Sequence, residues 1–399
     1  MEPFVRIQGW TEGAGDVAGL GQEIGGSVVA PGDMDGDGSI DLVVSSGNPY
    51  EHLFLYGPFE RGIYQADDLA LGRLSNSSPE SIAAAGDANN DGLADVWLGQ
   101  LATLQTGPVY GHRYYWEDYQ AHFPNLVSEA MGGMDADGDG HMDVVVAAGT
   151  YFTVYYGPFE GELYGGGEPG YDPSQVTEFV DGCASSWAAH GRIIRDYPDP
   201  GDWLYAPPDG YLCSFQTMMV DIRGPRGRIL RFPDDVVTWS RDSPVRGAAD
   251  FNGDGRTDFI DAWVVTDQPI GVYNRDDREH IRFVGSGSRF VGDMNRDGLP
   301  EMLIPRASHR DGGMGMWIVP GGDYRTDNFH YWVEDIDDAV MLWDRDDDVF
   351  LSWDSDGAMA LADIDGDGRD DFIVGDNSSN GNRGGEVRIY LAAELYPWD

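Results

Sequence analysis

The chain has 399 residues, with 25 basic side chains, all Arg, against 70 acidic ones, for a formal net charge of −45. Such a surface repels nucleic acid and anionic lipid, which excludes both as partners. Hydrophobic residues at 41% and aromatic residues at 12% supply enough apolar surface for a core, so wholesale disorder is excluded as well. No apolar run approaches the ~20 residues that span a bilayer, and no direct membrane insertion is expected. Met1-Glu2-Pro3-Phe4-Val5 has neither a basic n-region nor a long apolar h-region, so it does not read as a signal peptide. The expectation is that a leader has been removed or that this is one part of a longer chain.

The first predicted element is Phe4–Trp10, where apolar and polar residues alternate as on a strand. Ser27-Val28-Val29-Ala30 is a short apolar segment. It leads into Asp33-Met-Asp35-Gly-Asp37-Gly38-Ser39-Ile-Asp41, with acids at positions 1, 3, 5 and 9 and Gly at position 6. The same nine-residue pattern returns at Asp87-Asn89-Asp91-Gly92-Asp95, Asp135-Asp137-Asp139-Gly140-Asp143 and Asp250-Asn252-Asp254-Gly255-Asp258. It returns again at Asp293-Asn295-Asp297-Gly298-Glu301 and Asp363-Asp365-Asp367-Gly368-Asp371. After each copy comes an apolar strand: Leu42–Val44, Val96–Leu98, Val144–Val146, Phe259–Ile260, Met302–Ile304 and Phe372–Val374. The repeating unit is strand, acidic loop, strand.

These loops have the chemistry of a calcium site. Ca²⁺ takes six to eight hard oxygen ligands at ~2.3–2.6 Å in a flexible shell. Side chains at positions 1, 3 and 5 curl toward one centre, Gly at 6 allows the sharp turn, and the acid at 9 closes the shell. The carbonyl at position 7, from Ser39, Leu93, His141, Arg256, Leu299 or Arg369, adds another oxygen. Mg²⁺ demands rigid octahedral geometry, and Zn²⁺ prefers Cys or His; neither suits the set. About six Ca²⁺ ions are therefore expected. The pattern is not an EF-hand, whose longer loop lies between two helices. Calcium at the concentrations outside cells suits loops of this kind, which points to a secreted or surface-exposed protein.

Spacing gives an architecture. The third and fourth copies lie about twice as far apart as most neighbours, as though one unit between them has lost its loop. The resulting expectation is an all-β, seven-bladed β-propeller in a single domain over 1–399. Its blades would be near 11–74, 75–124, 125–182, 183–242, 243–286, 287–350 and 351–399. The N-terminal strand 4–10 would return as the outer strand of the last blade and close the ring. Six blades follow if 183–240 is an insertion, and eight if 320–355 hides another.

The Asp-x-[Asp/Asn]-x-Asp-Gly-x-x-[Asp/Glu] loops with their following strands resemble FG-GAP (VCBS-type) repeats, the calcium-bearing blades of integrin-α-like propellers and of many bacterial secreted proteins. Tyr56-Gly57-Pro58-Phe59-Glu60 and Tyr156-Gly157-Pro158-Phe159-Glu160 resemble the Gly-Pro turns of such blades. The resemblance covers nearly the whole chain apart from about 183–240. It implies calcium loops on one face of a disc and ligand binding on the other. That other face would carry the loops near 47–51, 99–110, 266–270, 308–313 and 376–384.

The fourth unit departs from the pattern. Asp196-Tyr-Pro-Asp199-Pro-Gly-Asp202 stands where a loop belongs, with its spacing broken by two prolines. The only cysteines, Cys183 and Cys213, both fall in this unit; a disulfide between them fits an oxidising compartment, and two buried thiols are the alternative.

No enzyme motif is found. The eight histidines form no spaced metal motif, and no nucleophile elbow or phosphate loop occurs. His309-Arg310-Asp311 lies in a loop between strands, and Asp344-Arg-Asp346-Asp-Asp348 lacks the Gly of the acidic loops. Asn76 and Asn377 open Asn-Ser-Ser sequons. His112-Arg-Tyr114-Tyr115-Trp116-Glu117-Asp118-Tyr119 mixes aromatic and charged groups. It reads first as the outer strand and turn of the second blade and second as a sugar-stacking surface. The expected function is an extracellular calcium-stabilised binding or adhesion module that presents a loop-built face to a protein or glycan. The alternative is a lectin or a polysaccharide lyase-like enzyme on a calcium-bearing propeller, although −45 opposes an acidic polysaccharide.

Overall fold

The computed structural model describes residues 2–10, 22–47, 50–75, 82–98, 103–114, 119–123, 130–148, 151–164, 170–180, 192–195, 202–206, 217–221, 224–231, 236–240, 247–255, 258–260, 264–266, 271–273, 280–284, 288–308, 310, 314–326, 330–344, 359–376 and 384–397. Cys183, Cys213, Arg256, His309, Asp199, Asp346, Asp348, Asn76 and Asn377 lie outside them. So does much of the loop set that the FG-GAP resemblance assigns to a ligand face.

The chain is all-β and propeller-like: among the described residues, seven sheets follow one another along the sequence. Ile24–Gly32, Asp41–Gly47, Tyr50–Leu55 and Ala70–Ser75 form the first, as an antiparallel meander. Ile82–Gly86, Asp95–Leu98, Thr103–Thr106 and Ala121–His122 form the second. Ala130–Met134, Asp143–Ala148, Tyr151–Tyr155 and Val176–Val180 form the third. Arg192–Arg195, Asp202–Ala206, Thr217–Asp221 and Val236–Ser240 form the fourth, so the region without an acidic loop carries a sheet like the rest. Gly247–Ala249, Asp258–Ile260, Val264–Val265 and His280–Phe283 form the fifth. Arg289–Phe290, Met302–Ser308, Met314–Val319 and Val340–Asp344 form the sixth. Met359–Ala362, Asp371–Asp376 and Glu386–Tyr390 form the seventh, and its fourth strand is Val5–Gln8. Val5 pairs with Ile389 and Gln8 with Glu386. Arg6 adds two hydrogen bonds to the fully buried Glu386, at 3.2 and 2.9 Å.

Six of the sheets receive a fifth, parallel strand from the following unit. It comes from the stretch between that unit's third and fourth strands. Gly62–Gln65 lies on Val5–Gln8, Gly111–Tyr114 on Ala70–Ser75, and Gly161–Glu162 on Ala121–His122. Ile229–Arg231 lies on Val176–Val180, Gly271–Tyr273 on Val236–Ser240, and His330–Tyr331 on His280–Phe283. The sixth sheet receives no strand among the described residues. The C-terminal helical turn Ala392–Leu395 packs there, with Leu395 and Tyr396 against Leu303, Met316 and Ile318. The expectation for 112–119 is therefore corrected: His112–Tyr114 belong to a strand on the first sheet, not to the outer strand of the second. Its backbone groups satisfy an edge of the unit before it, which alternation within one unit cannot reveal.

The sheets are buried on both faces, which explains their continuous apolar runs. Leu42 and Val44 pack toward the seventh sheet with Val5, Ile373 and Ile389, whereas Val43 packs toward the second with Val96 and Leu98. Trp97 and Phe123 meet Val144 and Val146 of the third sheet. Phe251 and Ile281 meet Met302 and Ile304 of the sixth, and Leu303 and Ile318 meet Phe372 and Val374 of the seventh. Side chains of this size contribute about 1.5–3 kcal/mol each on full burial. The core thus runs between neighbouring sheets.

Candidate metal centres

All six acidic loops join the first and second strands of their sheets. Their backbones share one construction. Position 1 organises the turn: Asp33, Asp87, Asp135, Asp250, Asp293 and Asp363 each accept the N–H of the position-6 Gly at 2.8–3.0 Å. Position 3 accepts the N–H of position 5, for instance Asp37 to Asp35 at 3.2 Å and Asp297 to Asn295 at 2.8 Å. Position 5 accepts the N–H of position 7, as from Ser39 to Asp37 at 2.7 Å and from Arg369 to Asp367 at 2.8 Å. Position 1 spends both oxygens on the turn, as where Asp33 accepts from Gly36, Asp37 and Gly38, whereas position 5 spends one oxygen on the position-7 N–H.

Position 6 has φ between +80° and +94° in all six loops, a left-handed region that glycine enters without a Cβ penalty. Position 4 is left-handed too, with φ of 81°, 78°, 75° and 75° at Gly36, Gly138, Gly253 and Gly366 and of 63° and 60° at Asn90 and Arg296. The sequence reading passed over position 4, although four of its six residues are Gly. It also passed over position 2. Met34, Ala88, Ala136, Phe251, Met294 and Ile364 are all buried and plug the loop into the core.

Position 9 lies at the root. Asp41, Asp95, Asp143, Asp258, Glu301 and Asp371 are each 0–1% exposed. Each accepts the N–H of its own position 2, at 2.5–3.0 Å. The second oxygen of Asp41 accepts from Gly57 at 2.8 Å, that of Asp143 from Gly157 at 3.0 Å, and that of Asp371 from Ala392 at 2.8 Å. The root acid therefore ties its loop to the segment after the third strand, which includes the Gly-Pro turns.

Burial is costly for these carboxylates. Desolvation pushes Asp41 and Asp371 up to about 6, Asp95, Asp143 and Asp258 up to about 7, and Glu301 up to about 8. The backbone N–H donors pull the other way and the acids at the mouth add to the rise, Asp35 and Asp33 for Asp41, Asp297 and Asp293 for Glu301. A nearby cation reverses this balance.

Four loops bring three acids together with ligand oxygens within 4.8 Å of one another: Asp33, Asp35 and Asp37; Asp135, Asp137 and Asp143; Asp293, Asp297 and Glu301; Asp363, Asp365 and Asp371. The loops with Asn at position 3 turn the amide onto position 5, as in Asn89 Nδ2 to Asp91 at 2.9 Å and Asn252 Nδ2 to Asp254 at 3.3 Å. Among the described residues, buried oxygens of Asp258, Glu301 and Asp363 have no hydrogen-bond partner. Such atoms fit a hard cation, because an unpartnered buried carboxylate oxygen is expensive. The Ser39, Leu93, His141, Leu299 and Arg369 residues of position 7 stand in their loops as described.

No family model and no curated protein matches the chain. The resemblance to FG-GAP repeats thus rests on the loop residues themselves. Among solved structures, the chain is similar to BBS1N in a crystal structure with ARL6DN, soaked with mercury. The TM-score is 0.47 at 9% identity, over 96% of this chain and 97% of that one.

Proposed function

We propose that this chain is a calcium-stabilised, FG-GAP-like seven-bladed β-propeller that serves as an extracellular binding or adhesion module. The N-terminal strand closes the ring. Positions 1, 3 and 5, the position-7 carbonyl and the position-9 acid hold each ion, about six in all. The ions neutralise carboxylates that otherwise repel one another, and the stiffened disc presents its opposite, loop-built face to a protein or glycan at the cell surface. No catalysis is assigned. The observation that carries this reading is the set of six buried root carboxylates, each set behind a mouth of further acids. Calcium adds no bond-making chemistry here. It supplies charge, and binding to the folded form alone stabilises by RT ln(1 + [L]/Kd) per site.

Chelation tests it. Native mass spectrometry is expected to count several calcium ions, and EDTA to lower the melting temperature by well over 10 °C, reversibly on calcium addition. A melting curve unchanged by EDTA, with metal removal verified, rejects the reading.

A glycan ligand is supported by one further feature. Tyr114 and Tyr119 are exposed at 38% and 37%, close in sequence to His112 and Arg113, and aromatic faces of this kind stack on sugar rings. A glycan array compared between the native chain and Tyr114→Ala decides it: loss of a defined glycan signal supports a lectin, and an unchanged blank array turns the search to protein ligands.

A further inference from the structure

The segment after the third strand of one unit reaches back onto the acidic loop of the unit before it. The Phe159 N–H donates to the position-2 carbonyl of Ala88 at 3.2 Å, Gly224 to that of Ala136 at 2.9 Å, and Gly322 to that of Phe251 at 2.8 Å. From the same segment, two side chains reach the mouth acids of a neighbouring loop. Over the first loop it is Tyr110, hydrogen-bonded to Asp35. Over the third loop it is Arg226, supplied by the fourth unit, the one whose own acidic motif is broken.

Arg226 Nε donates to Asp137 Oδ2 at 2.6 Å, and its terminal nitrogen donates to Asp139 Oδ2. The guanidinium carbon also sits 4.9 Å from the Tyr156 ring centroid. Asp137 and Asp139 are positions 3 and 5, whose outward oxygens a cation at the mouth requires. A guanidinium fork satisfies two carboxylates with charge-assisted bonds, and the ring face adds a cation–π contact.

We infer that Arg226 is the resident cation of the third loop, so that this loop takes calcium only by displacing Arg226 and fills last of the six. The inference rests on the calcium reading above. The acidic motif of the fourth unit is broken by two prolines in sequence, and here the unit's charge serves its neighbour. Calcium and guanidinium compete for the same oxygens, so the third site loses affinity by whatever the Arg226 contacts contribute.

Stepwise calcium filling of the full chain, followed by native mass spectrometry, tests this. At a free calcium concentration where the native chain stops one ion short of saturation, Arg226→Gln is expected to hold one ion more. Its last site should be at least ~10-fold tighter. Substitutions in the otherwise native chain give an independent reading at the same calcium. Asp139→Asn should leave the ion count unchanged, because the third loop holds no ion at that calcium, whereas Asp37→Asn in the first loop, at a position that is Asp in all six loops, should lower it by one. Identical filling of native and Arg226→Gln chains, or loss of an ion in Asp139→Asn, overturns the inference and leaves the calcium reading standing. A native chain that binds no calcium at all overturns both.

Discussion

The acidic loops contain two kinds of carboxylate that share a sequence motif and little else. At the mouth, Asp37, Asp91, Asp139, Asp254, Asp297 and Asp367 are exposed at position 5. Water screens their repulsion. At the root, the six position-9 acids are sealed from water and bonded to backbone N–H groups. On the proposed reading, the mouth is where a cation would arrive and the root is where its charge would count most. A motif read only as a ligand list misses this division, because a root acid is also a structural clamp between its loop and the end of the third strand.

The largest effect that sharpens the contrast is on pH. In the metal-free chain the root acids have folded pKa values of about 6 to 8, against about 4 when unfolded. Below that unfolded value both states are protonated and burial carries no charge penalty. As pH rises from 4 toward 8 the unfolded chain releases protons that the folded chain retains, so stability falls, and the loss is complete above about 8. Repulsion within a chain of net charge −45 acts in the same direction. Buried His52, pushed down to about 3 by desolvation, acts oppositely: its stability contribution is lost as pH falls below about 6.5. One imidazole stands against six carboxylates. Melting temperatures in EDTA are therefore expected to decline from pH 5 to pH 8, and in calcium to stay nearly level. A metal-free curve that climbs with pH over that range breaks the distinction between mouth and root.

A paired substitution comes next in size. Asp41→Ala leaves the N–H groups of Met34 and Gly57 buried without an acceptor and should cost about 2–5 kcal/mol, in EDTA as well as in calcium. Asp37→Asn keeps an oxygen for the Ser39 N–H. It should change stability by under about 0.5 kcal/mol in EDTA and remove one bound ion in calcium. Urea unfolding under both conditions separates the two; equal costs in EDTA erase the division.

How much of this was legible in the sequence depends on distance along the chain. The loops were readable because oxygen ligands and turn glycines within nine residues define them. The strands after them were readable as apolar runs. The handed-over strands were not. Gly161–Glu162 and His330–Tyr331 are two residues each, too short for a period, and their partners belong to another unit. Arg226 meets Asp137 across 89 positions, and no local pattern marks it. His52 sits in Tyr50–Leu55, a strand buried from Glu51 onward, and nothing beside it in sequence shows that both ring nitrogens are buried without partners among the described residues.

The smallest effect lies between loops. Arg296 occupies the left-handed position 4 of the fifth loop, φ 60°, and its guanidinium donates to the Asp367 carbonyl of the sixth loop at 2.7 Å. In the second loop Asn90, at the same position, meets His141 of the third at 2.8 Å. Position 4 thus serves twice, as a turn residue and as a link to the next mouth. Arg296→Gly relieves roughly 1 kcal/mol of left-handed strain and forfeits an exposed hydrogen bond of about the same size. Global stability in EDTA should move by less than about 0.5 kcal/mol. The link itself is a different quantity. If the sixth loop is steadied by its neighbour, Arg296→Gly should speed amide exchange at Gly368 and Arg369, whose N–H groups close that loop onto Asp363 and Asp367, while exchange in the first loop stays as it was. Equal exchange in both loops would mean that each mouth is built by its own nine residues alone, and that the contacts between mouths only mark how closely the sheets are set.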